Sequence, residues 1–232
     1  MSHLFTKRLI YEIKIYESQK HFLNESGIYL DYNSDDMTTM KLLIIGPDNT
    51  PYQGGFYFFN ITLPVNYPFS PPKFTFLTKC DEIRYHPNFY VEGFVCLSIL
   101  NTWGQNEWSP CQTITAIIST IQSVMNENPI INEPGYETET GIIAQDYYKI
   151  IEYYNIYGSI LKQIRFLPLD LNIFKPIIIN HFLSNYDKYL NIIKKNKHLN
   201  NDVVTCQIYS LSVKLDYNGL ENNLIKLKSS LT

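Results

Sequence analysis

A cysteine and an asparagine eight residues apart could carry acyl-transfer chemistry in this chain. Cys96 follows Asn88, which is directly preceded by His86 and Pro87. A thiolate is a strong nucleophile and a good leaving group, so a cysteine can hold an acyl group as a thioester. Attack on that carbonyl places negative charge on oxygen, which a nearby side-chain amide can stabilise. We therefore expect Cys96 to be a covalent carrier, Asn88 an oxyanion donor, and His86 a structural residue that stiffens the loop.

A different use of Cys96 would be hydrolysis, which needs a positioned histidine base. His86 is the only histidine near Cys96 in the sequence, and a His-Pro pair in a tight turn is poorly placed to accept a proton. The other four histidines are distant in sequence but could be close in space. A thiol hydrolase therefore stays open as an alternative, and it predicts that substitution of one histidine abolishes turnover.

The loop that holds these residues follows a predicted set of strands. Residues 2–20 carry an apolar stripe at helical spacing, which predicts an N-terminal helix. Short Gly/Pro turns then separate four candidate strands and indicate an antiparallel meander. The predicted strands are 28–32, 39–45, 56–63 and 73–78. Residues 79–109 show little periodicity, and a loop of that length in a compact domain is usually functional.

The loop should end at a long central helix. Ser109 can cap a helix, Pro110 suits its first position, and Gln112 completes a capping box. The pair Asn128-Pro129 should stop this helix. Further helical patterns cover residues 142–157 and 176–197, with a weaker one at 217–227. The elements together predict an α+β fold with C-terminal helices.

Composition excludes several classes of function. The 232 residues are 45% hydrophobic with a net charge of −3, and the short cluster of Lys194, Lys195 and Lys197 is typical of a solvated helix end, so we expect no nucleic-acid binding. No run reaches the ~18 apolar residues of a membrane span, and the N-terminus lacks a signal-peptide core. The four cysteines show no CxxC pair. We expect a cytoplasmic or nuclear protein, neither secreted nor membrane-bound, without disulfide, metal or cofactor.

Four motifs, in family order, resemble those of the ubiquitin-conjugating (E2) enzymes. They are the turn at 46–55, the proline-rich loop at 67–73, the His-Pro-Asn…Cys pattern at 85–96 with the family's eight-residue spacing, and Trp-Ser-Pro at 108–110. The resemblance covers most of residues 1 to about 150. It implies the UBC fold, a four-stranded antiparallel sheet backed by a long helix with helices at both ends. We predict a core domain at residues 1–157 and a mostly helical extension at 158–232, packed on or near the core.

Further positions resemble the large, C-terminally extended members of the family. Residues 96–104 and 128–137 carry the resemblance, and the segment between Cys96 and Trp108 is longer than in minimal E2 enzymes. Ser98 stands where many members have Asp. The subgroup shares this serine, so we interpret it as a change of local charge without loss of activity.

The resemblance also implies roles for individual residues. Cys96 would accept the modifier from an E1 thioester, and a lysine or an E3 cysteine would then attack the Cys96 thioester. Family members place an acidic or polar gate residue near the incoming lysine, which here would be Glu133, with Asn132 as the alternative. The implied E1 and E3 contacts are Lys7, Arg8, Phe69, Pro110 and Cys111.

Two other functions stay open within this family. An inactive E2-like scaffold would bind ubiquitin or an E3 without carrying modifier, although inactive members lack the cysteine that is present here as Cys96. A conjugating enzyme for another ubiquitin-like modifier would use the same residues. The expected partners are therefore an E1, ubiquitin or a related modifier, an E3 and protein substrates.

Overall fold

A four-stranded antiparallel sheet forms the centre of the computed structural model, which describes residues 3–33, 36–104 and 107–231. Its strands follow one another in chain order, so the predicted α+β meander is confirmed. The last two strands are slightly shorter than predicted. The strands are β1 (Ile28–Tyr32), β2 (Thr39–Ile45), β3 (Phe56–Thr62) and β4 (Lys73–Phe76).

The turn between β2 and β3 is unusually close-packed. The backbone N–H of Gly46 donates to the carbonyl of Gly55 over 2.8 Å. A Cβ atom on Gly46 would lie 1.8 Å from the carbonyl oxygen of Tyr52, so only glycine fits there. This turn pins the register of β2 against β3, which pairs Ile45 with Phe56.

Two helices cover the sheet as the apolar patterns predict. Helix α1 (His3–Glu25) buries Phe5, Leu9 and Tyr16 and runs past the predicted end at residue 20. Helix α2 (Ile114–Val124) has three isoleucines with no exposed surface, Ile117, Ile118 and Ile121. Burial of these apolar stripes stabilises both helices far more than their intrinsic propensity does.

The predicted start of the central helix was wrong. Helix α2 begins at Ile114, and its N-cap is Thr113, whose hydroxyl accepts from the N–H of Ala116 over 3.2 Å. Ser109 and Gln112 do pair, because the Gln112 side-chain oxygen accepts from the Ser109 N–H over 3.2 Å. That pair closes a separate turn before the helix, so α2 is shorter than predicted.

The C-terminal region contains more elements than the sequence predicted. Helix α3 (Ile142–Tyr154) continues through a π-helical stretch, Asn155–Lys162, into α4 (Gln163–Arg165), so the predicted domain division after residue 157 falls within a continuous helical segment. The predicted helix at 176–197 is two helices, and the last helix is longer than predicted. An unpredicted hairpin precedes it. These elements are α5 (Lys175–Ser184), α6 (Tyr186–Asn196), β5 (Val203–Cys206), β6 (Leu211–Lys214) and α7 (Tyr217–Leu231).

The C-terminal elements share one apolar core with the sheet. The Tyr189 hydroxyl of α6 donates to the Gly54 carbonyl over 3.1 Å, and the Asn155 amide donates to the Gln53 carbonyl over 2.9 Å. Both contacts hold the C-terminal helical region against the β2–β3 turn. None of the helices within the described ranges is both long and apolar enough to cross a membrane.

Candidate active site

Two hydrogen bonds link Cys96 directly to Asn88. The Cys96 N–H donates to the Asn88 carbonyl over 2.9 Å, and the Asn88 side-chain Nδ2 donates back to the Cys96 carbonyl over 2.6 Å. Antiparallel bridges pair Phe89 with Val95 and Phe94 with Thr75 of β4. The eight-residue spacing therefore closes a small loop, and the sheet fixes the position of that loop.

His86 is a fixed part of the same loop. Its ring has no exposed surface, and its Nδ1 accepts from the Asn88 N–H over 3.0 Å. The ring proton therefore lies on Nε2, 2.8 Å from the Val124 carbonyl of α2. Burial lowers the pKa of His86 from 6.5 to about 3, and the nearby Arg84 charge adds to this. Such a histidine stays neutral at physiological pH, and its acceptor nitrogen is occupied.

Cys96 lies at the edge of solvent, with 6% of its surface exposed. Its Sγ lies 3.2 Å from the Thr102 carbonyl. Burial raises the pKa of the Cys96 thiol above its ordinary value, while the positive charge of Arg84 opposes this and the Glu133 carboxylate adds to it. The folded chain therefore holds Cys96 mainly as a thiol at neutral pH.

A cavity of about 190 Å³ opens beside the thiol. It brings together residues that are far apart in the sequence, from the loop before Cys96, the segment after it and the short 3₁₀ turn Pro129–Asn132. Its lining includes Arg84, Asn88, Cys96, Trp103, Asn132 and Glu133. The residues predicted to carry, stabilise and gate the thioester therefore share one cavity.

Asn88 and Asn132 both use their amides within the fold. Besides the bond from Asn88 to the Cys96 carbonyl, the Asn132 Nδ2 donates to the Pro129 carbonyl over 3.0 Å. The Asn88 Oδ1 is buried and has no hydrogen-bond partner among the described residues. Asn132 therefore stabilises its own turn, whereas Glu133 presents a carboxylate to the cavity.

The sequence motifs did not mark two residues of this site, Arg84 in the cavity lining and Tyr209, which contacts Arg84 and Glu133 of that lining. Arg84 has its guanidinium carbon 3.8 Å from the ring centroid of Tyr90 and 4.7 Å from that of Tyr209. Tyr209 also donates its hydroxyl to Glu133 Oε2 over 2.6 Å. Arg84 directly precedes the Tyr-His-Pro-Asn motif, which was a usable signal, but Tyr209 comes from the unpredicted hairpin and carried none.

The predicted partner-binding residues differ in how accessible they are. Lys7, Pro110 and Cys111 are exposed, and Phe69 has 65% of its surface exposed. Arg8 points inward, with 12% of its side chain exposed, and pairs with Glu12. Four of these five side chains are free to meet another protein, and contact of Arg8 with an E1 stays a prediction.

Comparison of the sequence with known proteins shows which family the chain resembles. The sequence profile described as "Ubiquitin-conjugating enzyme" matches residues 8–152. The ubiquitin-conjugating enzyme E2 Z of Danio rerio is 33% identical over 207 residues, which cover 88% of this chain and 63% of that protein. Its Homo sapiens counterpart is 34% identical over 196 residues, covering 84% and 55%.

A much larger protein matches the same region. The dual E2 ubiquitin-conjugating enzyme/E3 ubiquitin-protein ligase BIRC6 of Homo sapiens is 32% identical over 187 residues, 76% of this chain and 4% of that protein. This chain therefore spans little more than half of the E2 Z proteins and a small part of the hybrid. The family profile nevertheless covers the sheet, the Cys96 loop and the segment that contains Glu133, and the chain belongs to the ubiquitin-conjugating enzyme family.

Proposed function

We propose that this chain carries ubiquitin as a thioester on Cys96 and transfers it to an amine or to another thiol. In the first step the Cys96 sulfur attacks an E1 thioester, the acyl group moves to Cys96, and the E1 thiol leaves. In the second step a lysine amine or an E3 cysteine attacks, and the Cys96 thiol leaves. The observation that carries the proposal is that Cys96, Asn88 and Glu133 line one cavity.

The competing functions lack comparable support. A hydrolase would need a base beside Cys96, but His86 is buried, neutral and hydrogen-bonded on both nitrogens. A binding-only scaffold would not need Cys96 at the mouth of a cavity with an asparagine and an acid. Ubiquitin is the first choice of modifier because the matched relatives are named for it, and other ubiquitin-like proteins stay as outcomes of the test.

The proposed function also implies which proteins the chain binds and in which cellular compartment it acts. An E1 would approach the face that exposes Lys7 and Phe69, an E3 the same face near Pro110, and Cys96 would face the modifier. All four cysteines are free thiols, which suits a reducing cytosol or nucleus. Substrate proteins, and not nucleic acid or membrane lipid, would receive the modifier.

A charging assay tests this function directly. The full chain is incubated with a ubiquitin E1, ATP and ubiquitin, and then run on a non-reducing gel. We expect an upward shift by one ubiquitin that thiol reductant removes, absent from Cys96→Ala and kept in Cys111→Ala, which removes an exposed thiol. An adduct on Cys96→Ala would overturn the assignment of Cys96. Failure with ubiquitin, but success with another modifier and its E1, would correct the modifier only.

A further inference from the structure

The hairpin of the C-terminal extension contacts two residues that line the active-site cavity, Arg84 and Glu133. Strands β5 and β6 pair Cys206 with Leu211, and the 3₁₀ turn Gln207–Tyr209 joins them. The ring of Tyr209 packs on that of Tyr147 in α3, with centroids 5.5 Å apart. Tyr147 in turn donates its hydroxyl to the Arg84 carbonyl over 2.8 Å. This chain of contacts fixes the tip of the hairpin against the loop that carries Cys96.

Tyr209 makes two contacts with charged groups of the site. Its hydroxyl donates to Glu133 Oε2 over 2.6 Å, and its ring lies 4.7 Å from the guanidinium carbon of Arg84. Arg84 Nη2 lies 4.0 Å from the same Glu133 oxygen. Burial and the adjacent Glu133 carboxylate raise the pKa of Tyr209 well above its ordinary value. The hydroxyl therefore stays protonated and remains a donor at any pH at which the enzyme works.

A carboxylate near the incoming lysine acts best when its position is fixed in advance. Glu133 follows the short turn Pro129–Asn132, and 23% of its side chain is exposed. Without a partner, such a side chain would sample several rotamers. Tyr209 donates a hydrogen bond to its Oε2, and Arg84 attracts the same oxygen from 4.0 Å, so together they restrict the direction in which the carboxylate points.

We propose that Tyr209 is a positioning residue for the lysine-transfer step, which it serves by holding the Glu133 carboxylate in the cavity beside Cys96. This inference rests on the proposed function and adds to it a role for the C-terminal extension. The proposed role of Tyr209 predicts different effects on the two half-reactions. Acceptance of the modifier from an E1 thiol involves no lysine, so it does not use the Tyr209–Glu133 contact. Attack by a lysine does use it.

Tyr209→Phe removes the hydroxyl and keeps the ring, so it tests the hydrogen bond in the full chain. We expect thioester formation on Cys96 at the wild-type rate. Discharge to free lysine should slow by about three- to tenfold, the net effect of one typical protein hydrogen bond. The matched control is Tyr217→Phe, because the Tyr217 hydroxyl is buried in the extension with no hydrogen-bond partner among the described residues. This control should charge and discharge as the wild type does.

Three readouts separate positioning from a loosened structure. Discharge to hydroxylamine, which is a neutral nucleophile, should be unaffected by Tyr209→Phe because no ammonium ion has to be met by Glu133. The defect with lysine should grow as pH falls, since less lysine is then neutral. In a Glu133→Ala background, Tyr209→Phe should cause no further loss, because the two changes break the same contact.

The outcomes distinguish a failure of the proposed function from a failure of the role proposed for Tyr209. A wild-type chain that forms no thioester with any E1–modifier pair overturns the proposed function and this inference with it. A chain that charges normally, but whose Tyr209→Phe variant discharges to lysine at the wild-type rate, overturns this inference alone. Equal slowing with lysine and hydroxylamine, or additive effects with Glu133→Ala, would also contradict a positioning role.

Discussion

Asn88 holds the Cys96 loop in the free chain, and under the proposed function it changes its hydrogen-bond partner to act on a thioester. Its Nδ2 donates to the Cys96 carbonyl over 2.6 Å, and its backbone carbonyl accepts from the Cys96 N–H. The same amide could donate to the oxyanion that forms when a lysine attacks. Because the Asn88 amide exchanges one acceptor for another, the change costs little free energy. The negative charge of the oxyanion makes the new hydrogen bond the stronger one.

Substitution of Asn88 should therefore separate charging from discharge. We expect Asn88→Ala to accept ubiquitin on Cys96 but to discharge to lysine about 10²–10³-fold more slowly, the usual cost of losing one oxyanion donor. Single-turnover discharge of the purified thioester measures this. Asn128→Ala is a matched control, because the Asn128 amide also donates to a carbonyl, that of Glu139, over 2.8 Å. Equal discharge rates for Asn88→Ala and the wild type would remove Asn88 from the mechanism.

The sequence predicted some residues of this site and gave no sign of others. Cys96 and Asn88 belong to a motif with fixed spacing, whereas the resemblance placed the acidic residue at Glu133 with Asn132 as the alternative; the structure brings all four to one cavity. Tyr209 lies 76 positions from Glu133, to which it donates, and neither composition nor periodicity marks it. A contact of that separation depends on how the extension folds back, which local patterns do not encode.

At the scale of elements, the start of α2 is set by a distant helix. The buried carboxylate of Glu12 in α1 accepts from the N–H of Ile114 over 2.9 Å, and from the Tyr67 hydroxyl over 2.5 Å. Arg8 pairs with Glu12 and donates to the carbonyls of Pro110 and Gln112. These contacts use the backbone of the predicted first turn, which explains why the capping signal at Ser109 gives a turn and the helix begins later.

Removal of Glu12 should destabilise the chain strongly. Glu12→Ala leaves Arg8 with 12% of its side chain exposed and no acid beside it, and it takes a negative charge from the N-terminus of α2. We expect a loss of about 3 to 5 kcal/mol in the free energy of unfolding, as for other broken buried ion pairs. Urea unfolding followed by circular dichroism measures the change.

Glu17 provides the comparison on the same helix. It pairs with Lys20 over 3.1 Å, and 41% of its side chain is exposed. Glu17→Ala should therefore change stability by less than about 1 kcal/mol. Similar losses for the two variants would show that Glu12 contributes no more than a surface acid.

At the scale of the whole molecule, the extension and the core form one hydrophobic unit. Helix α3 runs without a break into the extension, and buried residues such as Ile160, Phe182 and Leu224 belong to the same apolar cluster as the sheet. The meander and its turns were predictable because Gly/Pro turns and β-branched runs are local signals. The β5–β6 hairpin was not, because each of its strands has only four residues, and such short apolar runs do not distinguish a strand from a helix.

The stability of the whole chain should depend on pH through the buried His86 and the partly buried His181. The pKa of His86 is about 3 in the folded chain, against an ordinary value of 6.5, and burial also lowers the pKa of His181. As pH falls below 6.5, the unfolded state binds protons that the folded state excludes, so the free energy of unfolding falls. His86 should contribute a slope of up to about 1.4 kcal/mol per pH unit between about pH 6 and pH 4.

Urea titrations across that range measure the slope. His86→Gln should have a shallower slope than the wild type, even though it is less stable overall. His181→Gln is the comparison that keeps the His86 contribution. Parallel slopes for the wild type and His86→Gln would mean that His86 titrates in the folded chain as it does in the unfolded one.

The chemical nature of the adduct at position 96 identifies the residue that carries the modifier. Cys96→Ser replaces the thiol with a hydroxyl, so ubiquitin carried at this position becomes an oxyester instead of a thioester. We predict that Cys96→Ser charges slowly with E1, ATP and ubiquitin, and that its adduct survives thiol reductant but is removed by hydroxide. Peptide mass spectrometry should place the modifier at position 96. An adduct on Cys96→Ser that reductant still removes would show that another cysteine carries the modifier. That result would overturn the assignment of Cys96 as the carrier.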